Sequence, residues 1–200
     1  MIEVLEPTEL RPGLYRWTAP HPDYEPDPEP DSPADWPEQV GCVAYEGPEA
    51  LVLIDPLVPH ELWPALDRLA EGRPVTVLTT IGFHRRSRET VVERYAASTS
   101  PVPRGVETIP IPRAGEKMVW IPEHAALVPG DRILGGRDGG LRVCPDSWLR
   151  YLPSGITGGE LREALRPLLQ LPIELVLVSH GDPVLTDARV ALERALSSAP

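Results

Sequence analysis

The segment VTVLTTIGFHRRSRET, residues 75–90, begins as a β-strand, ends as a helix, and carries His84, Arg85 and Arg86 at the junction. Many α/β proteins place their chemistry at such junctions, because the strand is rigid and the loop after it is open to solvent. A guanidinium group presents a fork of donors that fits carboxylates. Three neighbouring cationic groups would also lower the pKa of the imidazole and oppose metal binding. The junction alone is therefore as compatible with residues that only reach solvent as it is with an arginine that binds a carboxylate.

Two further polar residues close apolar runs. His180 ends the buried run in IELVLVSH, and Asp131 ends HAALVPGD. An imidazole at a strand end is commonly a satisfied polar group, and an Asp after Pro-Gly commonly bonds its own turn. Strand ends in α/β layers are also where sites lie, so we expect both residues to face a site.

The pattern around these residues predicts strands first and then alternating helices and strands. Apolar alternation and turn signals predict strands at 13–19, 40–45, 50–54, 75–79, 106–112, 117–122 and 173–180, with a short apolar run at 124–131. Periodic leucines and capping residues predict helices at 60–72, 88–97 and 157–171, and a last helix capped by Thr186. Ser87 is expected to cap the second helix. The glycine-rich stretch 135–148 is expected to be a loop.

A long acidic loop interrupts the strands. In residues 20–39 proline and acidic residues alternate too densely for a helix or a β-ladder. We expect this surface loop to be mobile or to be anchored by Tyr24 and Trp36. The length of 200 residues is enough for one core, so residues 1–200 are predicted to form a single domain that includes this loop.

Four segments in a fixed order resemble the metallo-β-lactamase superfamily. They are GCVAYEGPEALVLIDPLV, the strand at 75–79 with its junction, PEHAALVPGD and LVLVSHGDPV. The resemblance spans roughly residues 12–196 and implies an αββα sandwich, an α/β (α+β) fold of four layers. In that family HxHxDH follows the equivalent strand, another His lies in a G-H-T-like turn, an Asp closes a GD motif, and a last His ends a late strand. Together they bind two metal ions, which lower the pKa of a bound water for hydrolysis.

This sequence departs from that motif. One register places Ile81, Phe83, Arg85 and Arg86 at the ligand positions, and a shift by one places Thr80, Gly82, His84 and Arg85 there. Neither register leaves more than one ligand, and the stretch PRAGEKMVW stands where the G-H-T-like turn is expected. The resemblance therefore implies a degraded metal centre, in which Asp131 and His180 match family ligand positions and His84 lies nearby.

Composition limits the partners and the compartment. The formal net charge of -11 repels phosphate backbones and anionic membrane surfaces, so we expect neither nucleic acid nor membrane as a partner. The start of the chain has no signal-peptide pattern, and no apolar run is long enough to span a bilayer, which predicts a cytoplasmic protein. Cys42 and Cys144 lie far apart and are expected to be reduced thiols. The remaining histidines, His21, His60 and His124, are expected at the surface, and Asp55 is expected to be a turn residue.

Three functions remain open from the sequence. The first is a catalytically silent or non-metal relative that binds a small anionic ligand or a protein partner, with Arg85 and Arg86 as ligand-binding residues and no tightly bound cofactor. In this hypothesis one arginine replaces the metal and pairs with Asp131. The second is a hydrolase with a single zinc ion held by His84, Asp131 and His180. A structural or dimerising subunit is also compatible with the sequence.

Overall fold

The structure is a computed structural model that describes residues 5–136 and 139–198. Its strands are β1 (Thr8–Arg11), β2 (Leu14–Pro20), β3 (Gln39–Glu46), β4 (Leu51–Ile54), β5 (Val75–Leu78), β6 (Glu107–Ile111), β7 (Glu116–Ile121), β8 (Ala126–Val128), β9 (Ile133–Gly135), β10 (Leu141–Val143) and β11 (Leu175–Val176). Its α-helices are α1 (Trp63–Ala70), α2 (Arg88–Tyr95), α3 (Gly158–Leu165) and α4 (Ala188–Ser197). Short 3-10 turns lie at His60–Leu62, Gly82–Arg85, Pro122–His124, Asp146–Leu149 and Arg166–Gln170.

Two mixed sheets form the centre of the molecule. The first has the order β1-β2-β3-β4-β5, and its strands are antiparallel except for the parallel pair β4 and β5. The second has the order β11-β8-β7-β6, in which β11 and β8 are parallel. A separate hairpin pairs β9 with β10. Each sheet therefore has one place where the carboxyl ends of two neighbouring strands lie side by side.

Three apolar clusters separate four layers, helices outside and sheets inside. Strands β3 and β4 are buried on both faces, because alternate side chains enter different clusters. Ala44 and Leu53 pack against α1 and α2, whereas Val43 and Ile54 pack against the second sheet. The third cluster joins the other face of the second sheet to α3 and α4 through residues such as Met118, Leu127, Leu161, Leu165 and Leu192. This is the αββα arrangement expected from the sequence.

Most predicted elements are present, and three expectations are wrong. The stretch 135–148 is not all loop, because Leu141–Val143 forms β10 and pairs with β9. The last helix begins at Ala188 after Asp187, so Thr186 does not cap it. The strand predicted to run to His180 is regular only at Leu175–Val176, and beyond it His180 pairs with Val40 as an isolated bridge. In the described part of the chain, no helix combines the length and apolarity needed to cross a bilayer.

Candidate metal centre

Four polar residues follow the carboxyl ends of the parallel strand pairs. Asp55 follows β4, His84 lies in the 3-10 turn after β5, Asp131 lies in the loop after β8, and His180 follows β11. Because β4 and β5 run parallel, as do β8 and β11, these ends meet at one edge of the two packed sheets. All four side chains are buried there.

His84, Asp131 and His180 converge on one point. One candidate ligand atom from each residue lies within 4.8 Å of the other two. The Oδ1 atom of Asp131 is 2.9 Å from Nε2 of His84 and 3.3 Å from Nε2 of His180. Neither contact has the geometry of a hydrogen bond, so this buried oxygen has no hydrogen-bond partner. Converging ring nitrogens and a carboxylate oxygen without hydrogen bonds between them are typical of atoms that share a cation.

Asp55 orients His84 from behind. Its carboxylate accepts hydrogen bonds from the backbone N–H and the hydroxyl of Thr80, the former at 2.8 Å. Its Oδ2 atom lies 2.9 Å from Nδ1 of His84. Nδ1 donates its proton to Asp55, so Nε2 faces Asp131 and becomes a potential metal ligand once it has lost its own proton. This carboxylate–histidine arrangement is the one that commonly fixes the tautomer of a metal-binding histidine.

The charges of the cluster shift the pKa values of its members in different directions. Burial lowers the pKa of His84, but the charges of Asp131 and Asp55 outweigh it and raise the pKa to about 9. Burial raises the pKa of Asp131, yet His84 and His180 hold it well below its usual range. The pKa of His180 is lowered, chiefly by burial. The cluster thus has the electrostatics of a carboxylate held between two imidazoles.

Glu116 and a glycine hold the loop that carries Asp131. The buried carboxylate of Glu116 accepts three backbone hydrogen bonds, from Gly130 at 3.0 Å, Asp131 at 2.7 Å and Arg132 at 3.0 Å. A Cβ atom at Gly130 would lie 2.6 Å from the hydroxyl of Thr80, so the loop approaches the junction closely only because this residue is glycine. Burial raises the pKa of Glu116 to about 7. Glu116 was not predicted as a site residue, because in the sequence it lies just before the strand expected at 117–122 and carries no motif.

The two arginines of the junction point in different directions. The guanidinium of Arg86 donates to the carbonyl oxygens of Asp55 at 2.9 Å and Gly41 at 3.1 Å, and to the hydroxyl of Ser179 at 2.6 Å. Arg85 is exposed on the other side of the junction. The expectation that one of them pairs with Asp131 is wrong, because imidazoles occupy that place in the described structure. The strong carbonyl acceptors at the strand ends hold Arg86 instead.

A cavity of about 420 Å³ opens above the cluster. Its lining includes His84, Asp131 and His180 and four large aromatic side chains: Trp36, Phe83, Trp148 and Tyr151. The rings of Trp36 and Trp148 contact the His180 ring, with centroids 5.5 Å and 5.7 Å away. Trp36 belongs to the acidic loop, so this loop forms one wall of the site.

Comparison with solved structures identifies the architecture. The structure matches DIM-1 metallo-β-lactamase exposed to ceftazidime with a TM-score of 0.60 and 11% identity, covering 98% of this chain and 97% of that one. The chain has the metallo-β-lactamase fold. A metallo-β-lactamase from Erythrobacter litoralis matches with a TM-score of 0.58 and 13% identity over 94% of this chain and 93% of that one. A metallo-β-lactamase family protein from Thermus thermophilus matches with a TM-score of 0.53 and 18% identity over 94% and 80%. Neither a protein-family model nor a curated protein sequence matches this chain.

Within this metallo-β-lactamase fold, the structure brings together the three residues predicted as metal ligands. Metal binding by His84, Asp131 and His180 stays a prediction, as does ligand binding by Arg85 and Arg86. His84 is buried rather than solvated, because its two ring nitrogens contact the carboxylates of Asp55 and Asp131 instead of water. Asp55 is more than a turn residue. Its place near the site could have been predicted from the sequence, since Asp55 follows a buried strand just as His180 does.

The other histidines have different environments. His60 is exposed, as expected. The expectation is wrong for His124, which is buried with its ring edge against Tyr45, and for His21, which is half-buried beside Trp36 and lines the cavity. Cys42 and Cys144 are free thiols, as predicted.

Proposed function

We propose that this chain is a hydrolase that uses one divalent metal ion, held by His84, Asp131 and His180. The observation that carries the proposal is the convergence of three buried ligand atoms within 4.8 Å, one of them an Asp131 oxygen without a hydrogen bond. Catalytic zinc sites typically have three protein ligands and one open position, and here the cavity lies on the open side. In the described residues no other group of this kind is present, which favours one ion over two.

The spacing of the ligand atoms fits such an ion. Two ligand atoms at about 2.0–2.1 Å from a tetrahedral zinc ion lie about 3.3–3.4 Å apart. The separation of 3.3 Å between Asp131 Oδ1 and His180 Nε2 agrees with this value, and the 2.9 Å to His84 is slightly shorter. When bound, the ion supplies Lewis-acid chemistry that lowers the pKa of water and polarises the substrate.

The surrounding residues have distinct supporting roles in this proposal. Asp55 fixes the tautomer and the orientation of His84, and Glu116 fixes the backbone that carries Asp131. Trp36 and Trp148 exclude bulk water from the His180 side, which strengthens electrostatic interactions inside the cavity. Arg86 ties the end of β4 to the segment that carries His180.

A second candidate is a catalytically silent protein that binds a ligand, a small anion or a protein partner, in the same cavity. It is favoured by the position of His84, whose ring nitrogens lie 2.9 Å from Asp55 and 2.9 Å from Asp131. This bridge gives Asp131 a partner from the protein itself. Metal content separates the two candidates.

The test is elemental analysis of the full chain, before and after equilibration with zinc and desalting. We expect less than one equivalent as purified and one equivalent after equilibration, because three ligands hold zinc less firmly than four. His180→Ala and Asp131→Asn should each abolish retention. His60→Ala removes an exposed histidine that does not belong to the cluster, and it should retain the wild-type amount of zinc.

Each alternative result has a meaning. No retained zinc, in a chain whose thermal melt is unchanged, would overturn the hydrolase proposal and favour the silent protein. Two equivalents would contradict the single-metal site. One equivalent that persists in His180→Ala would place the metal elsewhere.

A further inference from the structure

The mouth of the cavity exposes aromatic side chains that a folded protein normally covers. Phe83 is 74% exposed and Tyr151 is 69% exposed, and both line the cavity. Of the large apolar side chains exposed in the described structure, these are the two aromatic ones, and Phe83 is the sole phenylalanine of the chain. Single exposed apolar residues are ordinary, but two rings that face one cavity next to Trp36 and Trp148 form an apolar surface suited to a ligand.

The two arginines that line the cavity, Arg86 and Arg132, already donate hydrogen bonds to other groups of the protein. Arg86 donates to two carbonyl oxygens and a hydroxyl. Arg132 is buried, and it donates from Nε to the carbonyl oxygen of Ala114 at 3.0 Å and approaches Cys144 Sγ with Nη1 at 3.8 Å. Asp23 and Asp131 in the lining are acidic, and His84 is held between the carboxylates of Asp55 and Asp131. In the metal-free chain, a ligand that brings a negative charge therefore meets carboxylates and finds no guanidinium fork turned towards it.

The size of the cavity restricts the ligand further. About 420 Å³ lies in the lower part of the range for small-molecule sites, and four aromatic walls around it fit a flat group better than a branched one. Aromatic rings pack against one another edge to face or offset, with centroids about 4.5–7 Å apart, the geometry that Trp36 and Trp148 already adopt around His180.

We infer that the substrate of this site is a small uncharged molecule with an aromatic ring, such as an aryl ester. This inference rests on the proposed hydrolase function. In the hydrolysis of such an ester, the acyl carbon–oxygen bond breaks and a bond forms between the acyl carbon and the oxygen of water. One proton of water ends on the leaving aryloxide, so that a carboxylic acid and a phenol result. In this inference the aryl ring packs against aromatic lining residues such as Phe83 and Trp148, and the acyl group faces His180 and Asp131.

The first experiment measures binding with three matched probes, because binding does not require turnover. Benzamide and benzoate share a ring and differ in charge, and cyclohexanecarboxamide keeps the amide but lacks the aromatic ring. Titration calorimetry is done on the full chain, metal-free and equilibrated with zinc. In the metal-free form we expect benzamide to bind at least about tenfold more tightly than either other probe, and in the zinc form at least about tenfold more tightly than cyclohexanecarboxamide, because the carboxylate of benzoate can itself bind zinc.

Variants locate the binding to the mouth of the cavity. Phe83→Ala and Tyr151→Ala should each weaken benzamide binding about three- to tenfold, and because both side chains are exposed, the fold should tolerate their loss. Val190→Ala is the matched control, since Val190 is an exposed apolar residue on α4, outside the cavity. It should bind benzamide as the wild type does.

The outcomes for the inference and for the proposed function are separable. Benzoate binding as tightly as benzamide to the metal-free chain would overturn the inference and support the anion-binding role of the arginines. No benzamide binding at millimolar concentration would also overturn the inference. Benzamide binding that depends on Phe83 and Tyr151, without hydrolysis of phenyl acetate by the zinc-loaded chain, would leave the inference standing as a ligand class and refute the hydrolase. Hydrolysis of cyclohexyl acetate or phenyl phosphate as fast as phenyl acetate would refute the inference and leave the hydrolase intact.

Discussion

At the scale of single residues, the junction separates two neighbouring arginines into different environments. Arg86 has a positive φ of 42°, which turns its side chain inward to the carbonyl oxygens of Gly41 and Asp55 and the hydroxyl of Ser179. Arg85 remains exposed. The inward guanidinium joins β3, the end of β4 and the segment that carries His180, so it braces the edge at which the cluster is built.

Alanine substitutions should therefore distinguish the two arginines. Arg86→Ala removes three hydrogen bonds of a charged group and leaves buried acceptors unpaired, so we expect a loss of about 2–4 kcal/mol in the free energy of unfolding. Arg85→Ala should change it by less than about 0.5 kcal/mol. Urea unfolding followed by circular dichroism measures both. Arg86→Lys keeps the charge but lacks the fork, so it should resemble Arg86→Ala, and a wild-type stability in this variant would contradict the bracing role.

Residues that follow a strand were predictable from the sequence, whereas their partners were not. His84, Asp131 and His180 stand out because each is a polar residue at the end of an apolar run, and the structure places all three together. That His84 rather than an arginine faces Asp131 depends on the 3-10 turn Gly82–Arg85. The direction of each side chain depends on the backbone angles of this turn, which local sequence patterns do not specify. Glu116 acts through backbone N–H groups of a distant loop, which leave no trace in its own neighbourhood.

At the scale of elements, the layers were identified from strands that pack against a neighbouring layer on each face. Strands β3 and β4 read as continuous apolar runs because one face meets helices and the other meets a sheet. The strands β9 and β10 were missed because they are only three residues long and glycines dominate the segment that connects them in the sequence. Short strands of this kind depend on tertiary contacts more than on propensity.

Helix capping offers a matched comparison at this scale. At α3 the Thr157 hydroxyl accepts from the Glu160 N–H, and the Glu160 carboxylate accepts from the Thr157 N–H, which completes the predicted capping box. At α4 the predicted cap Thr186 lies outside the helix, and the N-cap position is occupied by Asp187, whose side chain makes no cap hydrogen bond. At α2, Ser87 occupies the N-cap position, but its hydroxyl accepts from Val58 N–H instead.

Thr157→Ala should destabilise the chain by about 1 kcal/mol, because it removes an acceptor for a terminal N–H of the helix. Thr186→Ala should leave the free energy of unfolding nearly unchanged. Chemical denaturation of both variants under one set of conditions makes the comparison. Equal losses would show that the two threonines have similar roles and would contradict the described start of α4.

At the scale of the whole molecule, the acidic loop 20–39 joins the surface to the site. Trp36 packs beside His21, Tyr24 and His180. The carbonyl oxygen of Ser32 accepts a hydrogen bond from Nε1 of Trp148 at 2.8 Å. Of the two alternatives left by the sequence, the structure thus favours anchoring of the loop over mobility. This loop contributes many of the acidic residues behind the net charge of -11. That charge predicts that the protein does not bind nucleic acid, and this stays a prediction.

Removing the exposed half of this loop should separate folding from ligand binding. Residues 25–33 are mostly exposed and contribute few apolar side chains to the clusters that join the layers, so their replacement by a short glycine–serine linker should lower the melting temperature by less than about 5 °C. The same replacement removes Pro33 from the cavity wall and the Ser32 oxygen that positions Trp148, so benzamide binding should weaken about tenfold. Trp148→Phe keeps an aromatic wall but loses the indole N–H and part of the ring, and it should show a smaller loss of affinity. Differential scanning calorimetry and titration calorimetry on the same samples provide the two readouts. A collapse of the melting temperature would assign the loop to the core, whereas unchanged affinity would show that the loop does not form part of the binding site.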